Sequence, residues 1–281
     1  MYKAERKQDI VALLKQQGFS STQTLAKQLA VSQTTIYRYL TELEQEGLIR
    51  KEYGGVTLEQ ATPDGIDLDY RSRQIEHPLE KHAIADRAVT LVESGDTVII
   101  DSSTTAVAFA QQLARAALRD VTIVTNSARI VLALQNKPEY RVICTGGTYL
   151  ARHDTLVGPP AEEFVATVTA NKCFISAMGV TPQACTDADP ADVRVKRLML
   201  SRASMKILLV DHSKFGRTTT FTVIPPAELD LIITDAGTPA KTLAPFTTMG
   251  LTVLTAPVTA STLQAQSNKS AITGSSPFPK A

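Results

Sequence analysis

Apolar residues recur at helical spacing three times within the first fifty positions. Ile10, Val11, Leu13 and Leu14 form one buried face, and Gly18 ends that run with a C-cap signal. Leu25, Ala26 and Leu29 form a second face, behind Ser20 or Ser21, either of which carries the short hydroxyl that caps a helix N-terminus. After a break at Ala30-Val31, Ser32 caps a third helix in which Ile36, Leu40 and Leu43 point inward and which Gly47 closes. The pattern then changes. Leu48 to Glu52 reads as a strand, Tyr53-Gly54-Gly55 as a turn, and Val56 to Leu58 as the return strand. Two short helices joined by a tight turn and followed by a hairpin make a winged helix-turn-helix, whose second helix enters the major groove of DNA. That helix offers Gln33, Thr34, Thr35, Tyr37, Arg38 and Tyr39 to base edges or phosphates. Ser21 and Ser32 at the helix starts, and Arg50 and Lys51 beside the hairpin tip, complete the expected contact set. A small helical domain used for protein contacts shares the helix pattern; the basic hairpin is what favours DNA.

Residues 59–76 lose apolar periodicity and carry Pro63 and Gly65, which predicts a linker with a short helix. An amphipathic helix is predicted from Leu79 to Val92, ending near Gly95. Beyond it one theme repeats: a short, largely apolar, β-branched run, then a polar turn, often then a helix. The runs are 97–100, 121–124, 141–144, 172–176, 206–210, 230–234 and 251–254. Alternation of this kind predicts an α/β fold, a Rossmann-like, mostly parallel sheet flanked by helices, spanning 77–261 after an N-terminal winged helix-turn-helix at 1–58. From residue 262 the chain is rich in Ser, Thr, Ala and Pro without periodicity and reads as a disordered tail.

In open parallel sheets ligands bind outside the carboxyl ends of the strands. The residues predicted there are Asp101-Ser102-Ser103-Thr104-Thr105, then Thr125-Asn126-Ser127, then Thr145-Gly146-Gly147-Thr148. Hydroxyls and glycines leading into helix N-termini bring many N–H and O–H donors to one point, which suits phosphate. Such residues are also ordinary helix caps, and it is their repetition on adjacent strands that favours a phosphorylated or polyhydroxylated ligand. Lys196 in a predicted helix, and Asp211 and Lys214 just past a strand, add charges able to meet a phosphate or sugar hydroxyls.

Composition narrows the choice. The chain has 281 residues, 43% hydrophobic and 20% charged, enough for two domains with well-buried cores. No apolar run approaches a bilayer's width, and the N-terminus is too polar for a signal peptide, so a cytoplasmic protein without a membrane partner is expected. A net charge of +1 does not by itself advertise nucleic acid. Cys144, Cys173 and Cys185 form no CxxC pair and read as free, packed thiols. His77 and His82 are five apart, off the spacing that sets two ligands on one helical face. No metal site, cofactor or catalytic set is expected.

The segment 25–58 resembles the N-terminal domain of the DeoR family of bacterial transcription regulators, through Ser32, Thr35, Ile36, Arg38, Leu40, Gly54 and Gly55. Tyr37 and Tyr39 stand where that family usually has arginine and aspartate. The second domain resembles the family's sensor domain, related in fold to sugar-phosphate isomerases, at Asp101–Thr105, Thr125–Ser127, Gly146-Gly147, Val195-Lys196-Arg197 and Asp211–Gly216. Ser103 stands where the family usually has glycine, and 181–190 looks atypical. The resemblance implies a DNA-binding regulator, usually a repressor of carbohydrate uptake or catabolism. It further implies a homodimer or homotetramer that binds double-stranded operator DNA and answers to a phosphorylated sugar. The alternative is a sugar-phosphate isomerase with an appended DNA-binding module.

Overall fold

The computed structural model describes residues 3–46, 48–52, 54–58 and 70–258. Gly47, Tyr53, the linker segment 59–69 and the expected tail from 262 lie outside these residues. The chain divides into two compact units, Met1–Pro78 and Leu79–Ala281.

The first unit contains α1 (Lys3–Gln17), β1 (Phe19–Ser20), α2 (Thr22–Gln28), α3 (Gln33–Gln45), β2 (Ile49–Glu52), β3 (Gly55–Leu58) and α4 (Tyr70–Ile75). The caps are those expected. Ser21 Oγ accepts from Thr24 N at 3.1 Å and Ser32 Oγ from Thr35 N at 3.2 Å, each satisfying an N–H left over by the helix geometry. The break between α2 and α3 turns on Ala30, whose φ is 52°. Ile10, Leu14, Leu25, Ile36, Leu40 and Leu43 are buried together with Ile49 and Val56 of the hairpin, so the wing is part of the core. The sheet has a third strand that short-range pattern does not reveal, in the order β1-β3-β2. Gly55 is needed there. A Cβ at that position meets the Ser20 carbonyl and the Phe19 ring. The expected linker also contains part of this unit: α4 packs against α1, with Gln8 donating to the Ile75 carbonyl and Ile75 lying against the core.

The second unit opens with α5 (Pro78–Val89), three residues shorter at its end than the periodicity predicts. There follow β4 (Thr97–Ile100), α6 (Thr104–Leu113), β5 (Val121–Thr125), α7 (Ala128–Leu134) and β6 (Tyr140–Cys144). Next come a hairpin of β7 (Thr148–Leu150) and β8 (Thr155–Val157), then α8 (Pro159–Ala166), β9 (Ala170–Ile175), β10 (Gly179–Val180) and β11 (Cys185–Asp187). The unit ends with α9 (Pro190–Ser201), β12 (Ala203–Leu209), β13 (Phe221–Ile224), β14 (Leu231–Asp235), α10 (Ala240–Thr248) and β15 (Thr252–Ala256). Each of the seven apolar runs is a strand of one seven-stranded sheet, ordered β15-β14-β12-β9-β4-β5-β6 and parallel at every pairing. Strands buried on both faces must be apolar almost throughout, which is why the runs were visible. From β4 the chain builds outward through β5 to β6, then returns to place β9 on the other side of β4. The β4/β9 boundary is therefore the topological switch point, where the connections diverge and a crevice opens at the strand ends.

Cys173 and Cys185 are buried; burial pushes the Cys173 thiol well up and that of Cys185 to about 12. Cys144 ends the edge strand β6 and is exposed, unlike the packed thiol expected there. Among the described residues no helix is long and apolar enough to cross a membrane.

Candidate functional site

On α3, the helix that a helix-turn-helix inserts into DNA, Gln33, Thr34, Tyr37 and Arg38 are exposed along one side, as expected. Tyr37 is 56% exposed. Tyr39 corrects the expectation: it is buried in the core with Leu40 and Leu43, because one residue further along a 3.6-residue helix turns the side chain by about 100°. The Arg38 guanidinium lies 5.3 Å from the centre of the Tyr39 ring, within cation–π range, so Tyr39 supports Arg38 from beneath. Ser21, Ser32 and Thr35 are engaged in capping, the hydroxyls of Ser32 and Thr35 lying 2.8 Å apart. The wing cations are exposed but paired within the unit. Arg50 reaches Glu52 at 2.8 Å, and Lys51 reaches Glu44 of α3 at 2.5 Å.

At the switch point a buried polar network forms from segments distant in sequence. Asp101, at the end of β4, is fully buried. Its Oδ1 accepts from the Ser103 amide at 3.1 Å and hydroxyl at 2.7 Å, and its Oδ2 accepts from the Ser176 amide at the end of β9, at 2.9 Å. Ser103 has φ −66°, a conformation any residue adopts, and its Oγ caps α6 by accepting from Ala106 N. Serine in place of the expected glycine thus forms the cap that starts the helix. Thr104 and Thr105 lie in the first turn of α6, where backbone N–H groups have no intrahelical acceptor.

Lys196 projects from α9 into this region and is buried. Its ammonium lies 2.5 Å from Asp187, 3.2 Å from Asp192, 3.4 Å from Asp101 and 3.2 Å from the Ser176 carbonyl. An ammonium has three hydrogens, and these four oxygens surround it. Burial alone lowers the pKa of Lys196, but the carboxylates of Asp187, Asp192 and Asp101 outweigh this and hold it well above the usual lysine value. The pKa of Asp192 is raised as well: burial pushes its carboxyl up to about 6, opposed by Lys196 and reinforced by Asp187 and Asp101.

The network continues to β5. Asp192 Oδ1 lies 3.5 Å from Thr155 Oγ1, and Thr155 Oγ1 accepts from Asn126 Nδ2 at 2.8 Å. Asn126 also donates to the Leu156 carbonyl at 3.2 Å, while the Leu156 amide donates to the Asn126 carbonyl at 2.9 Å, so the β7–β8 hairpin is docked on this turn. Asn126 Oδ1 and Ser127 Oγ are buried without a hydrogen-bond partner among the described residues. Thr125 Oγ1 accepts from the Ser127 amide at 3.1 Å. Gly146 and Gly147 follow β6 with φ 71° and 113°, values that suit glycine, and a Cβ on Gly147 would lie 2.5 Å from the Val157 carbonyl.

The structure thus gathers Asp101, Ser103, Asn126 and Lys196 into one network. Gly146 and Gly147 sit at the end of the neighbouring edge strand. Asp211 and Lys214 lie past β12, which is two places from β4 in the sheet. Asp211 caps a short 3-10 turn, His212–Lys214, by accepting from the Ser213 amide at 2.9 Å. Sequence reasoning missed Thr155, Ser176, Asp187 and Asp192. A signal existed for Asp192, one helical turn before Lys196, the spacing at which opposite charges pair. Asp187 lies within the atypical stretch 181–190.

Comparison with known proteins matches residues 6–62 to the DeoR-like helix-turn-helix domain and residues 76–236 to the DeoR C-terminal sensor domain. The HTH-type transcriptional regulator GlpR of Haloferax volcanii is 34% identical over 257 residues, covering 90% of this chain and 98% of that protein. The glycerol-3-phosphate regulon repressor of Escherichia coli is 29% identical over 248 residues, covering 88% and 96%. Among solved structures, ribose 5-phosphate isomerase A of Methanocaldococcus jannaschii aligns over 48% of this chain and 53% of its own, with 17% identity and a TM-score of 0.35. This likeness is too distant to carry an argument. With both domain models matched in order, and relatives aligned over about nine-tenths of its length, the chain belongs to the DeoR family of transcriptional regulators.

Proposed function

We propose that this regulator represses genes for the uptake or catabolism of a carbohydrate or polyol, and that a phosphorylated form of that compound releases it from its operator. The observation that carries the reading is the convergence, at the β4/β9 switch point, of the Asp101–Thr105 turn with the Asn126–Ser127 turn beside it. In this reading the phosphate meets the N–H groups at the start of α6 and the Gly146-Gly147 segment, where helix N-termini and glycine backbone suit an anion. Lys196 shapes the site by holding three carboxylates in place, since its ammonium lies within ion-pair distance of all three. The E. coli relative is named for a glycerol 3-phosphate regulon, which makes polyol phosphates the first compounds to try.

The protein acts in this reading as a cytoplasmic homo-oligomer with two-fold symmetry, on an operator of matching pseudo-symmetry. Arg38, Gln33, Thr34 and Tyr37 of α3 face the bases, and Arg50 and Lys51 the phosphates. The proposal includes no turnover, and conversion of ribose 5-phosphate by the purified protein would replace it with an isomerase reading.

The test uses the full chain and an operator selected from random duplexes. Fluorescence anisotropy is measured with and without glycerol 3-phosphate, ribose 5-phosphate and hexose 6-phosphates. One of them should shift operator affinity by roughly 5- to 150-fold, the usual range of coupling between sites. Affinity unmoved by every phosphorylated compound would sink the proposed effector class.

A further inference from the structure

The cations of the first unit differ in what holds them. Arg50 and Lys51 of the wing are paired with Glu52 and Glu44, and Lys7 of α1 is paired with Glu42 and Glu46. Glu42 stands one turn beyond Arg38, the spacing at which opposite charges meet on a helix, yet it binds Lys7 at 2.8 Å. Arg38 makes no hydrogen bond or ion pair among the described residues. Its guanidinium lies over the Tyr39 ring, 5.3 Å from the centre, and that ring is buried in the core. A ring attracts a cation through the negative charge of its face and accepts none of its N–H hydrogens in the way a carboxylate does. All five donors of Arg38 are therefore left for DNA, on a side chain whose freedom the ring already restricts.

We propose that Tyr39 is a positioning residue for operator reading, holding Arg38 for a two-bond contact to O6 and N7 of a guanine in the major groove. Tyr39 touches no DNA and acts through Arg38. Sequence discrimination concentrates at that arginine, while the wing cations, which carboxylates already neutralise, add affinity without choosing a base. This rests on the placement of α3 proposed above, names the base it reads, and is independent of the effector.

The test uses the full chain, the duplex that wild type selects from a random pool, and a scrambled duplex of the same composition. Fluorescence anisotropy gives the ratio of the two affinities across a salt series, for wild type, Tyr39→Phe, Tyr39→trifluorophenylalanine and Tyr39→Leu. The two phenylalanine rings fill nearly the same core volume, but fluorine withdraws negative charge from the ring face. Tyr39→Phe should keep the ratio within about twofold of wild type, and the fluorinated ring should lower it about threefold. Tyr39→Leu should lower it at least as much, with the slope of log K against log salt unchanged throughout. Replacing each operator guanine in turn by 7-deazaguanine, which lacks the N7 acceptor, should cost wild type about tenfold at one position and Tyr39→Leu less there. Equal ratios for the plain and fluorinated rings would show that Tyr39 only packs, and that result overturns the proposal even where Tyr39→Leu does not fold. A ratio that falls together with the salt slope puts Arg38 on a phosphate and overturns it too, as does a wild type indifferent to 7-deazaguanine at every position. Operator binding left unchanged by Arg38→Ala overturns the placement of α3, and this inference with it.

Discussion

Asp192 shows how one buried carboxyl links this sensor to pH. Burial raises its pKa from the usual 3.8 to about 6 against the pull of Lys196, so between those values the folded chain holds a proton that the unfolded chain releases. The resulting stability is fully present below the unfolded value and is lost as pH rises through about 6. Asp192→Asn, which cannot ionise, should therefore flatten the dependence of the urea midpoint on pH between about 4 and 6. Parallel curves for variant and wild type would show that the shift belongs to another group. On α3, adjacent residues separate stability from recognition. Tyr39 is buried and Arg38 exposed above it, so Tyr39→Ala should cost the first unit about 3 kcal/mol in denaturant unfolding. Arg38→Ala should leave unfolding nearly unchanged and weaken operator binding. Unchanged operator affinity in Arg38→Ala would take that residue out of the interface. The identity of Tyr39 could not reveal its burial, because tyrosine is common on both the buried and the exposed face of a helix; its place three residues after Ile36 and four before Leu43 is what puts it inside.

The wing carries its cations in ion pairs, and that changes what DNA binding requires of this element. Glu44 lies 2.5 Å from Lys51, and Glu52 lies 2.8 Å from Arg50, so a DNA phosphate that contacts either cation has to displace a carboxylate. Exposed pairs of this kind contribute roughly 0–1 kcal/mol to stability, so removing one should scarcely affect folding. Glu44→Gln should strengthen DNA binding and steepen its salt dependence, by up to about one unit in the slope of log K against log salt. A slope unchanged from wild type would mean that Lys51 does not reach the backbone. The strands themselves divide by how they are buried. The seven of the parallel sheet were legible because each is an apolar run. In the second unit, the antiparallel strands Cys185–Asp187 and Phe221–Ile224 were not, since a few mixed residues carry no period and the two lie far apart along the chain.

Across the whole molecule, the site depends on the path of the chain through the sheet. Asp101 and Ser176 meet because β9 returns beside β4, and Lys196 reaches both because α9 follows β9. Reading along the chain found Asp101, Asn126 and Lys196 separately, each at a strand end or on a helix. It did not find that Lys196 is neutralised by three carboxylates, nor that Asn126 keeps an acceptor in reserve. What the sequence determined by itself was local: a helix cap at Ser20 or Ser21, another at Ser32, the hairpin and its glycines, the apolar strands and the order of the two domains. These follow from backbone geometry and burial periodicity, which act over a few residues. Only the tertiary structure decided which polar side chains share an interior, because strand order joins residues some seventy to a hundred positions apart, and desolvation then sets their charge and hydrogen bonding.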